Sequence, residues 1–453
     1  MQISISRLKL IRANIKKMNC SHCFSRLHLP DDIVQKDDNG TLMKTICLPN
    51  VENRPKQHSD EYLSSHYPQL VSRSKKELLS SSFSSFLGGD DRKNSVKVLN
   101  VLQGEIAHAT SLQADAVVST DATTCHIVAF RSTTDKTTAS LKSNRSRASS
   151  PIDKPSTGSS GTAPPLVTVA HVDKVGCTKS LYHSVQLHLD HHNKQQQEHK
   201  EEKPRILMEI HIVGGFLDSN GVSQAISTFL ITLIVEVANH FQHENMHFTL
   251  STVCISSMNT TTALTVDGIN SYMLSSSEFS YPHLTNKTIL LSPIVRGLGI
   301  CPATGKIYNV NNCPTFLLGP AIPLRTARLW SSSTSLCGED TLYLIQSTHN
   351  KEPSSSTICI LPFQYSSHNE WLQSLLQMSD EEILLRTSTS PHCEGDDYCK
   401  SIKDAIRFMQ HVRCTDLFGP HLDQPLFYVR NQSESNKWDL IGARDQEKSR
   451  YPY

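Results

Sequence analysis

Residues 124–131 are Thr124-Cys125-His126-Ile127-Val128-Ala129-Phe130-Arg131, a mainly apolar run that opens on a threonine. Its length and its content of β-branched and aromatic side chains are typical of a strand. The next apolar run, 166–173, has the same character and can return beside the first as a hairpin. Residues 132–165 would then loop out at little cost, because the entropy of loop closure grows only logarithmically with length. The two runs predict an antiparallel pair.

Further strands and helices are predicted on both sides of this pair. Apolar runs predict strands at 116–119, 206–213, 247–255, 288–300, 306–310, 341–346 and 357–361, with a hairpin turn at 302–305. Helical spacing predicts helices at 221–242, capped by Asp218, Ser219 or Asn220, and at 402–412, while a capping box at 379–382 opens a third helix. Strands dominate the middle and helices flank them. This order predicts an α+β fold of mainly antiparallel sheet layers, an α-β-β-α-like sandwich.

Composition predicts one domain with extensions and inserts. We expect a disordered basic extension at 1–42, the domain itself at 43–440 and a C-terminal tail at 441–453. Within the domain, residues 132–165 are rich in Ser, Thr and Lys, and 183–203 include a run of His, Gln, Glu and Lys. Such segments hold too few apolar side chains to form a core, so both are expected to be solvent-exposed, low-complexity inserts.

The first 30 residues contain six basic side chains and no acidic one. This composition resembles a mitochondrial presequence, although an unstructured basic extension is the simpler interpretation. Met1, Met18 and Met43 all remain open as start sites.

Bulk properties argue against several classes of protein. A net charge of +1 gives no electrostatic reason to bind nucleic acid or an anionic membrane. The longest apolar stretch, 225–238, is interrupted by Glu236 and is shorter than a bilayer-spanning helix. The thirteen cysteines are an odd number without a framework spacing, and no signal-peptide pattern precedes them. Reduced thiols in the cytoplasm, and also in the nucleus, are therefore expected.

Cys125 is the candidate nucleophile. Side chains alternate across a strand, so Cys125 shares a face with Ile127 while His126 points to the other face. A base for the thiol must then come from another segment, and His171 in the returning strand is the natural choice, with His211 as the next candidate. A nearby imidazolium would lower the pKa of the thiol.

No metal or organic cofactor is predicted. The run Cys20-Ser21-His22-Cys23 lacks a second pair of ligands at zinc spacing. The pair Gly214-Gly215 lacks the remaining residues of a phosphate-binding loop, so a tight turn between a strand and a helix is the better interpretation.

Three segments resemble the protein N-terminal asparagine amidohydrolase family. The most specific is 121–131 around Cys125, the second is 211–218 with its Gly-Gly-Phe turn, and the third is 385–391, Leu-Arg-Thr-Ser-Thr-Ser-Pro, followed by a helix. Order and approximate spacing agree over roughly residues 43–440, with gaps at the two inserts. The resemblance implies that Cys125 is the catalytic cysteine.

The resemblance also implies the reaction and its setting. An N-terminal Asn of a protein or peptide would become Asp with release of ammonia, upstream of ubiquitin-dependent degradation. Thiolate attack on the carboxamide would form a thioester, and backbone amides near Thr124 and Cys125 could stabilise the oxyanion. Recognition of the N-terminus needs an acceptor for the α-ammonium group, for which Asp121, Asp173 and Asp218 are candidates. We expect a monomer with protein or peptide substrates as its partners.

Two alternatives stay open at this point. One is a deamidase that acts on internal Asn or Gln, and the other is an inactive relative that only binds Asn at an N-terminus.

Overall fold

The computed structural model describes residues 27–29, 35–36, 42–43, 59–87, 96–135, 163–194, 205–266, 288–311, 319–330, 343–348, 357–366, 369–430 and 438–441. The strands in these ranges are β1 (Leu27–His28), β2 (Gln35–Lys36), β3 (Leu42–Met43), β4 (Val98–Val101), β5 (Glu105–Thr110), β6 (Ala116–Ser119), β7 (His126–Thr134), β8 (Leu166–Val172), β9 (Ile206–Gly214), β10 (Met246–Ile255), β11 (Thr260–Val266), β12 (Thr288–Pro293), β13 (Leu298–Ile300), β14 (Ile307–Asn309), β15 (Tyr343–Thr348), β16 (Thr357–Ile360), β17 (Leu426–Arg430) and β18 (Trp438–Ile441). The helices are α1 (Ser59–His66), α2 (Pro68–Ser80), α3 (Phe83–Leu87), α4 (Thr178–Lys194), α5 (Val222–Phe241), α6 (Ile322–Ala327), α7 (Glu370–Leu375), α8 (Asp380–Thr387), α9 (Tyr398–His411) and α10 (Cys414–Phe418).

A ten-stranded sheet forms the centre of the fold, in the order β1-β10-β9-β7-β8-β5-β15-β16-β17-β18. The pairs β1–β10, β10–β9 and β15–β5 are parallel, and the other pairs of this sheet are antiparallel. A four-stranded sheet, β14-β13-β6-β4, packs beside it through the core. The predicted α+β class with mainly antiparallel strands is confirmed.

The predicted hairpin between the runs at 124–131 and 166–173 is confirmed as β7 and β8. These strands pair antiparallel, with Ile127 opposite His171 and Val128 opposite Ala170. Alternation divides their side chains between two cores. Ile127 and Ala129 lie in the core between the two sheets, whereas Val128 and Phe130 pack towards α4 and α5 on the other face. Both faces of β7 are buried, which explains its almost continuous apolar character.

Helix α5 covers the second face of the large sheet. Thirteen of its twenty residues are buried, including Leu230, Leu233 and Ile234. With the turn that follows it, 222–244, it is the one described helix that is long and apolar enough to cross a membrane, contrary to the expectation from 225–238. Within the fold, 61% of that apolar window is buried against protein. Core helices pass the same test of length and composition.

The structure differs from the prediction at the first insert boundary and in the second insert. Strand β7 continues to Thr134, inside the predicted insert 132–165, and residues 136–162 lie outside the described part of the chain. Helix α4 extends to Lys194, inside the predicted insert 183–203. Its His188 is fully buried and hydrogen-bonds to Ser132 Oγ at 2.6 Å and Thr168 Oγ1 at 2.8 Å. The histidine-rich composition of this segment suggests exposure to solvent, but in the fold His188 has buried hydrogen-bond partners.

Other boundaries also moved for physical reasons. Leu27–His28, inside the extension that was expected to be disordered, pairs with β10, and Leu27 is buried. The predicted strand 288–300 is two strands. Between them the side chain of Asn259 accepts from the amide of Val295 and donates to its carbonyl, both at 2.8 Å, which turns the chain from one sheet to the other. The hairpin turn at 302–305 and the capping box at Ser379 and Glu382 are confirmed.

Candidate active site

Cys125 lies directly before β7, where a glycine pair holds its backbone. The amide of Gly215 donates to the carbonyl of Cys125 at 2.7 Å, and Ser223 Oγ of α5 donates to the carbonyl of Thr124 at 3.0 Å. Gly214 has a φ of +115°, and a Cβ there would lie 2.6 Å from the Cys125 carbonyl oxygen. Only glycine permits this approach. The Gly-Gly turn therefore holds the backbone of Cys125 at the start of β7.

The Cys125 thiol is almost closed off from solvent, with 7% of the residue exposed. Burial raises its pKa well above the ordinary value, and the nearby carboxyl groups of Asp173 and Glu394 raise it further. Hydrogen bonds from the Thr124 side chain and the Cys125 amide act in the opposite direction. Cys125 is therefore a neutral thiol at neutral pH in the free protein, and not the thiolate that the sequence interpretation assumed.

His171 lies on the same sheet face as Cys125. It stands opposite Ile127, two positions along β7 from the cysteine. Its Nδ1 lies 2.8 Å from Ser119 Oγ, and that hydroxyl donates its one proton to the carbonyl of Val101 at 2.7 Å. Nδ1 must then carry the proton, which leaves the Nε2 lone pair bare in the neutral ring.

The environment keeps His171 neutral. Burial lowers its pKa to about 4, although Asp173 and Glu105 act to raise it. Nε2 is buried and has no hydrogen-bond partner in the described structure. Within the same residues no hydrogen bond joins the Cys125 thiol to His171. The structure thus brings the predicted pair onto one face without a hydrogen bond between them in the described residues.

The other two histidines lie elsewhere. His126 points to the opposite face, as predicted, where its Nε2 lies 2.7 Å from Ser227 Oγ of α5, and burial lowers its pKa to about 3. His211 stands opposite Ala129, four positions from Cys125, and its Nδ1 lies 2.9 Å from Thr252 Oγ1. His126 thus lies on the wrong face, and His211 lies two positions further along β7 from Cys125 than His171 does.

The three predicted carboxylates have different surroundings. Asp218 precedes α5, whose N-cap residue is Gly221, and its two oxygens accept from the amides of Asn220, Val222 and Ser223, so it is engaged in holding the start of the helix. Asp173 follows β8 and accepts from Gln103 Nε2 at 3.3 Å, while its Oδ1 is buried without a partner among the described residues.

Asp121 stands at the solvent-accessible edge of the site in the left-handed conformation, with a φ of +60°. Thr120 Oγ1 donates to its Oδ2 at 2.8 Å. The surrounding protein removes enough water from the carboxylate to raise its pKa, which the Thr120 hydrogen bond and Arg296 oppose. The amide of Ala122 donates to the carbonyl of Arg296 at 2.8 Å, so the loops that carry Asp121 and Arg296 are joined.

The turn 388–394, between α8 and α9, completes the site. Thr389 Oγ1 lies 2.8 Å from Thr124 Oγ1, beside the nucleophile. Ser388 Oγ donates to Glu394 Oε1 at 2.5 Å, and burial raises the pKa of Glu394 to about 7. The family resemblance in the sequence includes residues 385–391 but does not indicate a role for Glu394. The signal that could have found it is an acidic residue three positions after that run, in an otherwise short loop.

No cluster of three or more His, Cys, Asp or Glu side chains in the described ranges is arranged to hold a metal ion. A cavity of about 170 Å³ lies between Tyr365, Arg413 and Cys414, and none of the residues discussed above lines it. The groups described around Cys125 are a closed thiol, a neutral imidazole and several carboxyl groups.

Comparison with known families gives the class of protein that these elements build, an amidohydrolase. A family model described as protein N-terminal asparagine amidohydrolase matches residues 159–271 and 283–439, more than half of the chain. The chain belongs to this family. The matched residues include His171, Asp173 and Glu394, whereas Asp121 and Cys125 precede them. No curated protein matches the chain.

Proposed function

We propose that the protein hydrolyses the side-chain carboxamide of an N-terminal Asn with Cys125 as its nucleophile. The observation that carries this is the placement of Cys125 and the bare Nε2 of His171 on one sheet face. Family membership supports the amidohydrolase activity itself. The thiol, the imidazole and two carboxyl groups are the kinds of group that acyl transfer needs.

The first half of the reaction forms a thioester. The Cys125 sulfur attacks the carboxamide carbon, and His171 Nε2 takes the thiol proton during the attack. Both groups are neutral in the free protein, so proton transfer must accompany bond formation. Backbone amides near Thr124 and Cys125 stabilise the oxyanion. The tetrahedral intermediate collapses when His171 passes the proton to the amide nitrogen and ammonia leaves.

The second half regenerates the thiol. His171 takes a proton from water, and the resulting hydroxide attacks the thioester carbon. Collapse breaks the C–S bond, and His171 returns the proton to sulfur. The products are an N-terminal Asp and the free enzyme, with no metal or organic cofactor in any step.

The product gives the protein a place in protein turnover. An N-terminal Asp can be arginylated and then recognised as a destabilising residue, so the reaction feeds ubiquitin-dependent degradation through N-terminal signals. We propose that the protein acts as a monomer in the cytoplasm, and also in the nucleus, on protein and peptide substrates. The near-neutral charge supports partners other than nucleic acid.

One specific observation favours an alternative in which the protein binds Asn N-termini without catalysis. The thiol is buried and its pKa is raised, which is the reverse of what a preformed thiolate requires.

Mass spectrometry of an Asn-initiated peptide distinguishes the two proposals. Conversion should add about 1 Da to the peptide, since acid replaces amide. Cys125→Ser should reduce turnover by roughly 1000-fold or more. Cys359→Ser is the matched control, because Cys359 is a buried free cysteine of the same sheet on β16. Binding without conversion by folded, reduced wild-type protein would establish the alternative, and equal losses in the two variants would remove Cys125 from the mechanism.

A further inference from the structure

We propose that Glu394, together with Asp121, binds the α-ammonium group of the substrate, so that the turn 388–394 selects a free N-terminus. The inference rests on the proposed function and assigns it a specificity-determining residue. Glu394 and Asp121 would hold the charged end of the substrate, whereas Cys125 and His171 act on its carboxamide.

The turn brings Glu394 to the nucleophile. Thr389 Oγ1 lies 2.8 Å from Thr124 Oγ1, the residue before Cys125. Ser388 Oγ accepts from the amide of Ser390 at 3.0 Å and donates to Glu394 Oε1 at 2.5 Å, so the turn is closed by its own side chains. Glu394 Oε2 has no hydrogen bond among the described residues. One carboxylate oxygen is thus held in place while the other is available to a ligand.

The charges around Glu394 favour a cation. Asp121 acts on Glu394 as a like charge, and Asp397 acts on Asp121 in the same way. Arg296 is the cation that acts on both Asp121 and Glu394, and it offsets them only in part. Burial still leaves the pKa of Glu394 raised to about 7. An ammonium group between Asp121 and Glu394 would stabilise the charged form of each.

A second and independent observation points to a polar ligand on the sheet face beside Cys125. His171 is 2% exposed and its Nε2 has no partner, and the Oδ1 of Asp173 is also buried without one in the described structure. His171 in β8 pairs with Ile127, and Asp173 follows two positions later, directly after the strand. Buried polar atoms are nearly always hydrogen-bonded, so unpaired ones at a nucleophile indicate where a polar substrate group completes the network. The carboxamide of Asn has the donors and acceptor that these atoms lack.

The remaining candidates for the ammonium site are less suitable. Asp218 already accepts three backbone amides at the start of α5. Asp173 lies two positions after His171, directly after β8, near the place where the carboxamide has to meet the thiol. In an N-terminal Asn the ammonium group is attached to Cα and the carboxamide to Cβ. The two groups therefore need neighbouring but separate binding partners. Glu394 and Asp121 supply the one, and the sheet face supplies the other.

Steady-state kinetics of Glu394→Gln test the proposal. The substrates are an Asn-initiated peptide and the same peptide without its α-amino group. Glutamine keeps the shape and the contact with Ser388 but removes the charge. KM for the Asn peptide should rise roughly 10- to 100-fold with a smaller change in kcat, because a charge-assisted contact is lost. The preference of the wild type for the amino substrate over the desamino substrate should shrink by the same factor.

Asp396→Asn is the matched control, because Asp396 is an exposed acid two positions away and is not among the charges that act on Asp121, Cys125 or Glu394. It should leave KM and the preference unchanged. Asp121→Asn provides a second variant on a different loop and should also weaken the preference. Thermal unfolding checks that each variant is folded.

The possible results distinguish failure of the ammonium site from failure of the proposed amidohydrolase reaction. Failure of the wild type to convert the Asn peptide contradicts the proposed function. Conversion by the wild type, with unchanged KM and unchanged preference in both folded Glu394→Gln and Asp121→Asn, overturns the ammonium site alone. Equal effects of Glu394→Gln and Asp396→Asn would also overturn it, because a general change in surface charge would then explain the result.

Discussion

His171 donates its Nδ1–H to the hydroxyl of Ser119 across 2.8 Å, and this hydrogen bond leaves Nε2 as the basic nitrogen. Ser119→Ala should therefore reduce turnover of an Asn peptide by roughly 10- to 100-fold, because the ring loses its fixed tautomer and orientation. Stability should also fall by about 1–3 kcal/mol, since the buried Nδ1 and the Val101 carbonyl lose their partner. Enzyme assays and chemical denaturation measure the two effects.

Ser184→Ala is the control for that variant. Ser184 is also fully buried and donates to a backbone carbonyl, that of Ser180, at 2.7 Å, but it lies on α4. Activity of the folded Ser184→Ala protein should stay near the wild-type level. An equal fall in turnover would mean that Ser119 acts only through stability.

The Gly-Gly turn gives a second prediction, with a built-in comparison. Gly214 and Gly221 both have positive φ, but a Cβ at Gly214 meets the Cys125 carbonyl at 2.6 Å, whereas one at Gly221 meets nothing within 4 Å. Both Ala variants incur left-handed strain, of order 1 kcal/mol. Only Gly214→Ala should displace Cys125 and abolish most of the activity. Comparable activity in the two variants would show that the turn does not position the thiol.

Acid should destabilise the protein between about pH 6.5 and 4. Burial lowers the pKa of His126 to about 3 and the pKa values of His171 and His211 to about 4. A depressed pKa means that the folded state binds the proton less readily than the unfolded chain, whose histidines titrate near about 6.5. The stabilisation is complete above about pH 6.5 and is lost as the pH falls towards 4. Thermal unfolding at pH 7.5, 6.0 and 4.5 measures it, and a constant midpoint would contradict the burial of neutral histidines.

Substrate specificity should follow the length of the side chain. Gln-initiated peptides should be poor substrates, because one methylene moves the carboxamide away from the thiol, and a misplacement of about 1 Å can cost on the order of 100-fold. Acetylated Asn should fail as well, since it lacks the α-ammonium group. Competition assays with the three peptides at equal concentration compare their kcat/KM values. Comparable turnover of all three would favour a deamidase of internal Asn or Gln.

The sequence was most informative where local pattern and burial agree. The alternation along 124–131 correctly placed Cys125 and His126 on opposite faces, because both faces of a central strand are buried and a shift by one residue would exchange them. The polar composition of 183–194 was misleading, because His188 and His192 are buried and form hydrogen bonds with Ser132 and Thr168, which only the folded structure brings together.

Site residues far apart in the chain were harder to predict. Glu394 and Cys125 are separated by 269 positions, and nothing periodic in the sequence joins the turn that carries Glu394 to the start of β7. The hydrogen bond between Thr124 and Thr389 makes that connection in the structure. Likewise, the sequence predicts Asp218 as a candidate for binding the substrate. In the structure, however, its oxygens accept from backbone amides at the start of α5.

The most direct test of the cysteine mechanism is the covalent intermediate. Wild-type protein mixed with an Asn-initiated peptide and quenched in acid within milliseconds to seconds should gain the mass of the peptide less ammonia, about 17 Da. Peptide mapping should place this adduct on Cys125, and its rate of formation should fall when His171 is replaced by Gln, because His171 takes the thiol proton during the attack. Sustained conversion of the Asn peptide by Cys125→Ala, with no adduct on Cys125 in the wild type, would contradict the mechanism.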